Sequence, residues 1–240
     1  MNILITGGAS GLGEAITKKI AESKENKVYF TYSKSKDKAS KIELEFENTV
    51  SIKCDFSNQS ELDSLLEQIK IMDLDVLINN AYCSRINQMH FHKIAQNDFI
   101  NDFVQNIIPT ISITQESIKI MRAKKGGKII TILSSSLTNV PPIGYSIYAS
   151  NKAYLEMLTK IWANEYSRFN ITSNSISPSF MQTALTDDVD ERIVEDMINN
   201  HPQKKLVTPI EVAETVLFLV NASSQINGVD LVMNAGVNIK

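Results

Sequence analysis

The chain has 240 residues, 43% of them hydrophobic, and a formal net charge of -3. That is enough apolar material for one large α/β core, and the charge balance leaves no electrostatic footprint for nucleic acid or an anionic membrane surface. No apolar run nears the roughly 18 residues of a membrane span, and Cys54, Cys83 and three scattered histidines suggest neither a disulfide framework nor a metal cluster.

Both cysteines read as small core residues, no metal is expected, and the expected compartment is the cytoplasm. The first residues lead straight into glycines and read as a buried strand rather than a secretion signal. In chain order, strand-like apolar runs fall at residues 3–6, 27–32, 50–54, 75–79, 128–133, 171–176 and 229–232. Their length and continuous apolarity suit parallel strands covered on both faces. Helical patterns at 11–23, 36–47, 60–71, 97–123, 147–169 and 209–220 lie between them. Ser57 to Ser60 ahead of Glu61, and Pro209 after Thr208, mark two helix starts. Lys124-Lys125 before two glycines closes a helix rather than binding phosphate.

This alternation predicts a Rossmann-like, doubly wound parallel sheet of about seven strands with helices on both faces. No linker divides the chain, so residues 1–240 read as one domain. Residues 183–203 break the rhythm; polar, acidic and rich in short helical fragments, they read as a lid over the site.

The first strand is followed by Thr6-Gly7-Gly8-Ala9-Ser10-Gly11-Leu12-Gly13, opening a helix. Glycines let the backbone turn tightly and approach a pyrophosphate, and the helix N-terminus offers free N–H groups to it. An acidic residue at the end of the second strand would bind the ribose 2′-hydroxyl of NAD. Here stand Ser33 and Lys34, whose hydroxyl and ammonium suit a 2′-phosphate, so NADP(H) is favoured and NAD(H) is the other candidate. Asp55 and Phe56, after the third strand, border the adenine in this reading.

Tyr148 and Lys152 lie four apart at the start of a helical pattern, so phenol and ammonium share one face. The cation is expected to lower the tyrosine pKa and make it a general acid or base. Taken alone, the pair also fits an ordinary helix surface. Ser134, Ser135 and Ser136 stand at a strand end where a hydroxyl would hold the substrate oxygen.

Together these residues resemble the short-chain dehydrogenase/reductase family over essentially the whole chain. T-G-x-x-x-G-x-G matches Thr6 to Gly13, and Asn79-Asn80-Ala81-Tyr82 approximates the family's N-N-A-G. Asn106, the serines, Tyr148 and Lys152 follow in family order. Asn174 to Pro178, then Thr183, and the closing Asn234-Ala235-Gly236 complete the pattern. The resemblance implies a hydride transfer between a nicotinamide and a carbonyl or secondary alcohol. Tyr148 would be the acid/base, Lys152 its tuner and a ribose ligand, Ser134 or Ser135 the orienting hydroxyl, and Asn106 the holder of a relay water. The cofactor would lie against Gly7, Ser10, Gly11, Leu12, Gly13, Asn80, Ala81, Pro178 and Thr183.

The family also implies a homodimer or homotetramer built on the two long helices, including Trp162 and Phe169. Tyr82 and Ser179 stand where the family has glycine. They keep open a different reading, a catalytically silent NADP(H)-binding redox sensor. The expected substrate is a modest carbonyl compound, a 3-oxoacyl thioester or sugar-derived ketone. Its walls would come from residues 82–91, 138–145 and 183–201, a mixture of aromatic groups (Tyr145, Phe180) with polar ones (Asn139, Gln182).

Overall fold

In the structure, a computed structural model, residues 1–84, 89–138, 140–183 and 189–237 are described. Seven strands, β1 (Asn2–Ile5), β2 (Lys27–Tyr32), β3 (Thr49–Lys53), β4 (Val76–Asn79), β5 (Gly127–Ile132), β6 (Ile171–Pro178) and β7 (Asp230–Met233), form one sheet in the order β3-β2-β1-β4-β5-β6-β7. Every neighbouring pair is parallel. The helices are α1 (Gly11–Ala21), α2 (Lys36–Glu45), α3 (Gln59–Ile69), α4 (Gln96–Lys124), α5 (Ser146–Tyr166), α6 (Glu191–Asn200) and α7 (Pro209–Asn221).

Side-chain alternation explains the layering. Ile3 and Ile5 of β1, Val76 and Ile78 of β4, and Ile130 and Ile132 of β5 enter one core with α1, α2 and α7. Leu4, Leu77 and Ile129, their neighbours along the same strands, enter the opposite core with α3, α4 and α5. The central strands β1 and β4, covered on both faces, have no polar side to show, which is why they read as short apolar runs.

The helix starts follow from capping. Asn58 accepts from the Ser60 and Glu61 N–H groups at the start of α3, and Thr208 and Glu211 form a reciprocal capping box around Pro209. Helix α4 ends one residue before Lys125, which takes the left-handed conformation at φ 57°.

Three expectations need correction. The segment at 183–203 carries one ten-residue helix, α6, capped by Asp190, rather than short fragments; residues 184–188 of it lie outside the described residues. Cys54 is buried, its thiol pushed up to about 12 by burial, but Cys83 is exposed rather than a core residue. Trp162 belongs to the α3–α5 core, and the outward apolar groups of the long helices are Ile100, Val104 and Ile108 on α4 and Tyr154, Met157 and Ile161 on α5. Among the described residues no helix is long and apolar enough to cross a membrane.

Candidate active site

At the carboxyl ends of the strands lies a cleft of about 970 Å³. Open parallel sheets hold their ligands at this edge, because the loops after adjacent strands diverge there.

Its floor is the glycine loop. Gly7 and Gly11 adopt φ values of +66° and +55°, a region that side chains resist. A Cβ on Gly13 would come within 1.9 Å of the Gly7 carbonyl oxygen, so the helix can approach the loop only as glycine. The loop is braced from two sides. The Gly7 N–H donates to Thr31 Oγ1 at 2.8 Å, while Asn80 Nδ2 donates to the Thr6 and Gly7 carbonyls at 2.9 and 3.2 Å. Thr6 Oγ1 in turn accepts from the N–H groups of Asn80 and Ala81. Ser10 precedes α1 without a side-chain capping bond, leaving first-turn N–H groups for an anion.

Ser33, Lys34 and Asp55 line the far end of the cleft. Ser33 donates to Asp55 Oδ2 at 3.1 Å, and Ser57 donates to Asp55 Oδ1 through both its N–H and its hydroxyl. These bonds, the Ser57 hydroxyl first, hold the Asp55 carboxyl below its ordinary pKa. Phe56 is not part of this wall; its ring is buried in the core against the face of α3.

The other predicted residues on the cleft wall are Gly7, Ser10, Gly11, Leu12, Gly13, Asn80, Ala81, Ser134, Ser135, Tyr148, Lys152, Pro178 and Thr183. Burial pushes the Tyr148 phenol up to about 12, with a hydrogen bond to the Ser134 side chain pulling the other way. The same burial pushes Lys152 down to about 8. The expected lowering of Tyr148 by Lys152 is therefore overridden by desolvation, which disfavours both charged forms. Lys152 Nζ donates to the Ile132 carbonyl at 2.7 Å and stands 5.8 Å from the Tyr148 ring centroid. Of the two serines, it is the Ser134 side chain that acts on the phenol and lowers its pKa. Ser134 Oγ also accepts from the Ser136 N–H at 3.2 Å, which orients the hydroxyl.

Asn106 departs from expectation. Its carbonyl accepts from Thr110 Oγ1 at 2.7 Å, and its amide is committed to the Cys83 N–H, Ser84 Oγ and Asp102. It is buried and braces the loop after β4 instead of facing the cleft. Ser179 keeps φ outside the left-handed region and donates its N–H to the Met233 carbonyl, so its Cβ introduces no strain.

A family model described as enoyl-(acyl carrier protein) reductase matches residues 7–238. The chain belongs to the short-chain dehydrogenase/reductase family. Among curated members of this oxidoreductase family, carbonyl reductase family member 4 of Xenopus laevis is 30% identical over 98% of this chain and 97% of its own length. The 3-oxoacyl-(acyl-carrier-protein) reductase of Staphylococcus aureus is 28% identical over 98% of this chain and 96% of its own. A mutant short-chain dehydrogenase/reductase of Serratia marcescens superposes with a TM-score of 0.88 at 26% identity, covering 99% of this chain and 98% of that one. A Brucella melitensis 3-ketoacyl-(acyl-carrier-protein) reductase complexed with NADH gives 0.87 at 23% identity, covering 99% and 98%, which speaks to the fold.

Two features of this short-chain dehydrogenase/reductase escaped sequence reasoning. The first is the wall beyond Ser134: with Val140, Pro142, Tyr145, Phe180 and Met181 stand Ile193, Met197, Leu206 and Val237, a more apolar lining than the sequence suggested. Ile193 and Met197 are four apart on α6, a spacing that signals a helical face. The expected wall residue Asn139 lies outside the described residues, as do 85–88 of the first wall segment. At the end of α6, Asn200 and His201 join the lining, and His201 Nδ1 accepts from the Gln203 N–H at 3.2 Å, leaving Nε2 as the N–H donor. The second is the surroundings of Tyr82, where Asp102 and Asn151 converge from distant elements.

Proposed function

We propose that the chain is an NADPH-dependent carbonyl reductase, working as a soluble enzyme of the cytoplasm and built as one domain whose segment 183–203 closes over the substrate. The observation that carries this reading is one cleft holding both the glycine cradle and the Ser134–Tyr148–Lys152 set. The residues present suit a nicotinamide dinucleotide: an uncapped helix N-terminus, backbone brought close by Gly7, Gly11 and Gly13, and no carboxylate at the end of β2. Ser33 and Lys34 favour the 2′-phosphate of NADP(H) over NAD(H).

When bound, the nicotinamide supplies the hydride. Tyr148 donates the proton to the oxygen on which charge develops, and a phenol held near 12 is fully protonated at neutral pH and ready to give it. Ser134 orients that oxygen. Lys152, below its pKa of about 8, carries the charge that favours the transient phenolate. The apolar wall with the His201 donor at its end suits a 3-oxoacyl chain better than a polyhydroxylated sugar, and the name of the Staphylococcus aureus relative points to that class. The outward faces of α4 and α5 support a homodimer or homotetramer; sedimentation at the monomer mass would remove that part.

The test is fluorescence titration with NADPH and NADH side by side, then a ketone panel followed by the reduced cofactor's absorbance, with Tyr148→Phe as control. Tighter NADPH binding and turnover lost in the variant are expected. Binding without turnover on any ketone would favour the redox sensor, and no binding of either cofactor would overturn the reading.

A further inference from the structure

Tyr82 has no part in the proton and hydride steps, yet its ring touches both Tyr148 and Lys152. It lies edge-on to Tyr148, with centroids 5.1 Å apart and planes at 80°. Lys152 Nζ stands 5.0 Å from the Tyr82 centroid, closer than to the Tyr148 ring. The Tyr82 hydroxyl donates to Asp102 Oδ1 at 2.7 Å. That same oxygen accepts from Asn151 Nδ2 at 2.8 Å and Asn106 Nδ2 at 3.2 Å. The loop after β4, helix α4 and helix α5 are thus tied together at one carboxylate oxygen.

Lys152 sits in this arrangement with 3% exposure, its ammonium donating to the Ile132 carbonyl of β5. The titratable groups around it are Tyr148 from its own helix and Tyr82 from the loop, with Asp102 of α4 behind Tyr82 and Tyr145 beyond Tyr148. Among the described residues no carboxylate forms an ion pair with it. A desolvated ammonium is stabilised by an aromatic face, and a ring whose hydroxyl is pinned keeps that face in place.

We infer that Tyr82, anchored by Asp102 and Asn151, is a positioning residue that holds the Lys152 ammonium and the Tyr148 ring in their working orientation. The large residue after Asn80-Ala81 is then part of the machinery rather than an obstruction. Its effect on turnover rests on the reductase reading of Tyr148 and Lys152; its effect on the state of Lys152 does not.

The experiment uses the full chain labelled with ¹³C at the lysine ε-carbons, with Lys152 assigned by loss of its signal in Lys152→Met. Titrating Tyr82→Leu should show the Lys152 pKa lower than in the unmodified protein by about 0.5 to 1.5. Tyr82→Phe keeps the ring face and should leave that pKa nearly in place. With NADPH and acetoacetyl-coenzyme A as probes, Tyr82→Phe should lower kcat about threefold to tenfold with KM little changed, because the unpinned ring no longer holds Tyr148. An unchanged Lys152 titration in Tyr82→Leu overturns the inference, whatever the turnover. Turnover that survives Tyr148→Phe overturns the reductase reading instead, while the titration still judges Tyr82.

Discussion

Replacing Lys152 with Met should make this protein more stable while ending its catalysis. Burial takes the ammonium from an ordinary 10.5 to about 8, and desolvation is the cause. Each pKa step corresponds to about 1.4 kcal/mol, so keeping the side chain charged inside the fold costs on the order of 3 kcal/mol at neutral pH. Methionine fills the same stem volume without the charge, and the lost bond to the Ile132 carbonyl gives back about 1 kcal/mol. The net gain is about 1–3 kcal/mol, a rise in Tm of roughly 2–10 °C for a chain of this size.

The pH dependence carries the sign. The folded pKa lies below the unfolded one, so between about 8 and 10.5 the unfolded chain holds a proton that the folded chain has released. Stability of the unmodified protein therefore rises across that window, and the charge penalty is fully present below it. Urea melts of both proteins at a series of pH values should show the largest difference below pH 8 and a closing gap above it. A Lys152→Met protein that is less stable at every pH, or a difference that ignores pH, would refute the reasoning.

Gly13→Ala drives a Cβ into the Gly7 carbonyl, 1.9 Å away, and should weaken NADPH binding roughly tenfold to a hundredfold in a fluorescence titration. Ser134→Ala should cost about 10²–10³ in kcat/KM, as for loss of one donor to a developing oxyanion, while Ser135→Ala stays within a few-fold. Equal losses in the two would undo the assignment of Ser134. Lys34→Ala removes an exposed charge at the far end of the cleft. It should narrow the preference for NADPH over NADH by about twofold to fivefold, less at high salt.

What the sequence revealed follows from how local each signal is. Strands such as 27–32 and the loop from Gly7 to Gly13 declare themselves within a few residues, because burial on both faces and close backbone approach each constrain composition locally. Helix α6 was hidden because Ile193, Val194, Met197 and Ile198 are interleaved with acidic residues, so polarity masked the four-residue spacing. Phe56 and Asn106 sit beside the site in sequence, but side-chain direction takes one into the core and the other into the loop after β4. The bonds from Tyr82 and Asn151 to Asp102 span 20 and 49 residues, and nothing local to any of the three betrays them. The Lys152–Tyr148 balance is not legible in the sequence for a related reason: spacing shows that two groups share a face but not how dry that face is.

The most direct test of the central claim is to follow the hydride itself. The full chain would be incubated with nicotinamide-deuterated NADPH and a panel of 3-oxoacyl thioesters and simple ketones, and the product alcohols weighed by mass spectrometry. Deuterium on the carbinol carbon, absent when Tyr148→Phe replaces the unmodified chain, is the predicted result. Tight NADPH binding with no deuterium passed to any carbonyl would contradict it.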